Sequence, residues 1–98
     1  MIKHMVAFYF ADSMNEKDRE EAKAVIVDAI DRIRNAKIPG VLRLDAVFNT
    51  VEGMPEYGMY GEYEDAKALE AYQIHPEHLR IKELSKDFCK SRIVIDWK

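Results

Sequence analysis

Apolar positions alternate at the start of the chain, where Ile2, His4, Val6, Phe8 and Phe10 share one side of an extended segment and Lys3, Met5, Ala7 and Tyr9 the other. Both sides are largely apolar, which predicts a strand covered on two faces, by its own helices and by a second chain. The period then changes. Ala22, Val25, Ile26, Ala29, Ile30 and Ile33 recur at three- and four-residue steps, the stripe of an amphipathic helix. Ser13, followed by Glu16, predicts its capping box, and Asp28 and Arg32 on the charged side are spaced to pair one turn apart.

Pro39-Gly40 ends that helix, and Val41–Phe48 reads as a second strand with Leu42, Leu44, Ala46 and Phe48 facing together. Gly53 and Pro55 mark a loop before a third, aromatic-rich strand over Tyr57–Tyr63. Glycine gives up packing in a strand, so Gly58 and Gly61 predict a bend, a bulge or space left for another group. Glu64-Asp65 open a second helix that runs to Gln73. Pro76, suited to a first helical position, divides it from a third helix ending near Asp87. Arg92–Trp97 alternates again as a fourth strand. The order βαββαβ predicts an α+β, ferredoxin-like fold, a four-stranded antiparallel sheet with its helices on one face. The apolar residues left for the other face predict a homodimer whose sheets close a dimeric α+β barrel.

Ninety-eight residues support one domain, expected to span 1–98, with no second core. The 48% hydrophobic and 34% charged content is that of a globular chain. Fifteen Lys and Arg against eighteen Asp and Glu give a net charge of −3 without a basic run, which argues against nucleic acid as a partner. The N-terminus carries no long apolar stretch for membrane insertion or secretion, and the lone Cys89 has no disulfide partner; a reducing, cytoplasmic setting is expected.

Chemistry concentrates in one stretch, Tyr72-Gln-Ile-His75-Pro76-Glu-His78. Imidazole exchanges protons near neutral pH, and beside a phenol it is equipped to remove a proton α to a carbonyl while the hydroxyl stabilises the enolate. Each histidine also has a structural reading. His75, before Pro76, reads as a helix-junction residue bonded to nearby backbone; His4 reads as a hydrogen-bonded core histidine; His78, in phase with Ile81, points toward the sheet and needs a partner such as Tyr72 or His4. His75, His78 and His4 could nominally form a metal set, but Pro76 turns His75 away from its helical neighbour and no cysteine or carboxylate cluster completes it; no metal is expected. The aromatics and the methionines Met5 and Met59 are the composition a two-sided small sheet requires, and the same residues are placed to line a ligand cavity.

The opening His4-Met-Val-Ala-Phe8, the Tyr72–His78 element and the closing Arg92-Ile-Val-Ile-Asp96 strand together resemble the stress-responsive A/B barrel (Dabb) domain family over essentially the whole chain. The resemblance implies a dimeric α+β barrel. Some plant members are polyketide cyclases that close a poly-β-ketone by intramolecular aldol condensation, with a helical histidine as base and the preceding tyrosine positioning a carbonyl. By position those roles fall on His78 and Tyr72, with His4 as a polar wall residue and Phe8, Met59 and Ile81 lining the pocket. Where a cyclase has a third-strand histidine, this chain has Met59, which thins the polar part of the pocket. The expected ligand is a small carbonyl or aromatic compound handled without cofactor. Two other readings stand beside it: a non-catalytic dimer that binds a small hydrophobic molecule or only assembles, and, by fold analogy, a small cofactor-free monooxygenase.

Overall fold

A computed structural model describes residues 1–98. The elements are β1 (Ile2–Phe10), α1 (Glu16–Asn35), β2 (Val41–Phe48), β3 (Tyr57–Tyr63), α2 (Ala66–Gln73), α3 (Pro76–Ser85) and β4 (Cys89–Trp97). The strands pair antiparallel in the order β2-β3-β1-β4, and the helices cover one face, giving the ferredoxin-like α+β arrangement expected from the element order. On the covered face Val6, Phe8 and Phe10 of β1 and Tyr57, Met59 and Tyr63 of β3 are buried in one core with Ile26, Ile30 and Ile33 of α1. No helix is long and apolar enough to cross a membrane.

Helix α3 ends at Ser85 rather than near Asp87, and β4 begins at Cys89 rather than Arg92; local chemistry departs from the sequence expectations in four further places. Asn15, not Ser13, caps α1: its side chain accepts from the Asp18 N–H at 2.8 Å, and the Asp18 carboxylate accepts from the Asn15 N–H. The residues before it are held in a turn, with the Met14 N–H donating to the Ala11 carbonyl and the Ala11 N–H to that of Phe88. Val25 lies at the flank of the α1 stripe and is exposed. Arg32 pairs not with Asp28 but with Glu77, at 3.3 Å, which ties α1 to the first turn of α3.

The fourth departure is in β2. Val41 pairs with Tyr63 and Arg43 with Glu62, so Leu42 is the extra residue of a bulge and is 58% exposed. The bulge resets the alternation, and Val41 rather than Leu42 packs beside the buried Leu44. Neither glycine of β3 breaks its pairing with β1. A Cβ on Gly58 would lie 2.6 Å from the Val6 carbonyl oxygen, whereas one on Gly61 would meet the Tyr63 ring and hydroxyl at 2.5 to 2.8 Å. The space left by Gly61 is filled by the side chain two residues further along the same strand.

The opposite face of the sheet has no cover within the chain. Met5, Ala7 and Tyr60 share it with Ile93, Ile95 and Trp97, and the last three are exposed.

Candidate functional site

Helix α3 begins where Pro76 ends the preceding pattern. His75 is its N-cap, accepting through Nδ1 from the Glu77 N–H at 3.1 Å, which uses this histidine at the helix junction. One turn in, His78 turns toward the sheet and donates from Nδ1 to the Gln73 carbonyl at 2.9 Å, a backbone group left over at the end of α2. That bond leaves the lone pair on Nε2.

Between α3 and the β1–β4 side of the sheet lies an open cavity of about 810 Å³. His4, Phe8, Met59, Ile81 and His78 all line it, together with Val6 and Val94. A volume of this order lies within the range that holds small ligands. The wall toward β4 is open because α3 commits only Ile81 to full burial, and the inward residues of β4, Arg92, Val94 and Asp96, have no helix over them.

A row of four rings runs behind one end of the cavity, with its outer members His4 and His78 on the lining. His4 meets the edge of Tyr63 at 6.2 Å, Tyr63 meets Tyr72 at 5.1 Å, and Tyr72 meets His78 at 4.5 Å between ring centres. The row runs from β1 through β3 and α2 to α3, and it brings Tyr72 and His78 together across the Pro76 joint. Tyr72 is buried behind His78 and does not itself line the cavity. Tyr63, one of the aromatics expected in the core and given no role in the site, is wholly buried, and its hydroxyl has no hydrogen-bond partner. The signal for it was Gly61, whose missing side chain makes room for the ring.

His4 is the buried polar residue of the core. Its partner is Asp96, directly opposite on β4, whose carboxylate meets Nδ1. Both cavity histidines are thus anchored through Nδ1, one by a carboxylate and one by a backbone carbonyl, and both keep Nε2 for a further partner.

Burial lowers the pKa of His78; the Gln73 carbonyl opposes that shift, while positive charge on Lys82 and Arg92, and on His4 when it is protonated, adds to it. His78 is therefore a neutral base at pH 7. Burial pushes the Tyr72 phenol up to about 12 and raises that of Tyr63 as well, with Tyr72 a further cause, so both remain protonated. No three His, Cys, Asp or Glu side chains converge to hold a metal ion.

No curated protein matches the sequence. Among solved structures, a dimeric protein of unknown function and ferredoxin-like fold from Bacteroides fragilis is similar with a TM-score of 0.90 at 22% identity, covering 99% of this chain and 94% of that one. A Dabb family protein with a ferredoxin-like fold from Mesorhizobium loti has a TM-score of 0.75 at 23% identity, over 99% of this chain and 94% of its own. An antibiotic biosynthesis monooxygenase has a TM-score of 0.78 at 14% identity, over 100% and 97%. At these identities the likeness is one of fold. The family model for the Stress responsive A/B Barrel Domain, Dabb, matches residues 2–98, and the chain belongs to that family.

Proposed function

We propose that each protomer takes up a small carbonyl-bearing or aromatic compound in the cavity beneath α3, and that Nε2 of His78 removes a proton from the carbon next to its carbonyl. The observation that carries this reading is the pair of histidines anchored through Nδ1 at one end of the cavity, with His78 kept neutral by its surroundings. In that step the proton passes to Nε2 of His78 and the C–H electrons into the enolate; because Nδ1 of His4 holds its proton toward the Asp96 carboxylate, Nε2 of His4 donates to the enolate oxygen only as the imidazolium. Tyr72 contributes by holding the His78 ring from behind.

The reading includes a homodimer and a reducing, cytoplasmic setting for the unpaired Cys89. The bare sheet face, with Ile93, Ile95 and Trp97 exposed, supports a second copy as its cover, and the similar Bacteroides fragilis protein is dimeric. Light scattering at micromolar concentration should give twice the 11.4 kDa chain mass, and Ile95→Asp should reduce it to one.

Proton removal is tested by deuterium uptake at the methyl group of acetophenone in D₂O, followed by NMR. The protein should accelerate uptake over buffer, and His78→Ala should remove about 10²–10⁴-fold of that acceleration while keeping the dimer mass. A wild-type rate in the variant would exclude His78 as the base. No acceleration by either protein would overturn the proton-abstraction reading.

A further inference from the structure

The cavity is chemically different at its two ends. His4 and His78 mark one end. The other end follows from the strand register: Phe8 pairs with Arg92 just as His4 pairs with Asp96, so Arg92 stands four strand residues away, roughly 13 Å along β4. Helix α3 runs the same way. Lys82 lies one turn beyond His78, about 6 Å along the axis, and Lys86 follows on the next turn. The middle is apolar, with Val6, Met59, Ile81 and Val94 on its walls.

Lys82, Lys86 and Arg92 all line the cavity, and no Asp or Glu does. In a chain with eighteen acidic residues and a net charge of −3, such a lining is not what overall composition would supply. Nor are these cations all occupied elsewhere. Lys86 pairs with Glu83 at 2.9 Å, but Lys82 and Arg92 meet no carboxylate. An unpaired guanidinium and ammonium beside an apolar trough match a molecule with an anionic head and an apolar body.

Resting on the reading of this cavity as a ligand site, we propose that its ligand is an elongated amphipathic carboxylate. The carboxylate sits between Arg92 and Lys82, and the apolar body lies along Val6 and Ile81 toward the two histidines. The cationic end then selects the substrate and sets its register, and the imidazole end meets the carbon to be deprotonated. The charges of Lys82 and Arg92 also reach His78, so an anion bound between them should raise the His78 pKa.

The test uses octanoate and its neutral amide, octanamide, as probes on the full-length protein. Binding is followed by calorimetry and by NMR shifts at His78 and Ile81. Octanoate should bind roughly tenfold more tightly than octanamide, and the preference should fade as salt is raised. Arg92→Gln and Lys82→Gln should each weaken octanoate roughly fivefold and leave octanamide unchanged; both side chains are exposed, so the fold is retained. Equal binding of the two probes at His78 and Ile81, or an octanoate preference that survives both substitutions, would overturn the anionic head while leaving the cavity as a ligand site. Failure of both probes to move these residues would remove both readings.

Discussion

Under α1, three isoleucines, Ile26, Ile30 and Ile33, are driven into the sheet with at most 2% of their surface exposed, whereas α3 commits Ile81 alone and stands off from β4 across a cavity of about 810 Å³. The two sides of one layer are thus built differently. The long helix carries a full stripe at 3.6-residue spacing and fills its share of the core. The short one begins at a proline, spends its first turns on His75 capping and His78 backbone bonding, and has little apolar surface left to close the gap. The solid side supplies stability, and the hollow side leaves room for a ligand beside polar groups that the solid side would exclude.

The contrast can be broken first by truncating its two sides in turn. Ile30→Ala should cost about 2–5 kcal/mol in urea unfolding, because a filled core collapses poorly around a void. Ile81→Ala should fall at the low end of that range, near 2 kcal/mol, since it enlarges a space already open to water. Equal losses would mean that the α3 side is packed as tightly as the α1 side. Next in size is Gly61→Ala, beside the row of rings. The added methyl collides with the Tyr63 ring, and the loss should be about 1–3 kcal/mol, with perturbed NMR signals along the row from His4 to His78. A neutral result would show that Tyr63 moves aside freely and that the row is not a fixed wall.

The smallest expected effect is a pH dependence. The His78 pKa is lower in the folded protein than the unfolded value of about 6.5, so the unfolded chain binds the proton more readily. His78 therefore opposes folding as pH falls below about 6.5, and its unfavourable contribution is absent above that value. Urea midpoints at pH 7.5 and 5.5 should differ less in His78→Gln than in the wild type. The same difference in both proteins would show that burial does not perturb this histidine.

Much of the architecture was legible because it rests on short-range rules. The bounds of β1, β2 and β3, the end of α2 at Gln73 and the start of α3 at Pro76 are written in periodicity, glycine and proline. Errors arose where two local signals competed or where pairing intervened. Ser13–Glu16 and Asn15–Asp18 both satisfy the spacing of a capping box, and the turn anchored to Phe88 decides between them. The β2 bulge exchanges Val41 for Leu42 on the inner face, a choice made by the register with β3 that strand alternation does not contain.

For the site, sequence alone determined the chemical inventory and the face on which each residue falls. His4 shares a side with Phe8, His78 is in phase with Ile81, and Arg92, Val94 and Asp96 alternate together, all from periods of 2.0 and 3.6 residues. Tertiary structure decided which of these meet. Asp96 reaches His4 across ninety-two positions of sequence through the β1–β4 register, and Tyr63 comes to lie between His4 and Tyr72 because a glycine yields its space. It decided also that the core would stay open beneath α3, since a void is a property of how two layers fit, and no residue in the sequence encodes it alone.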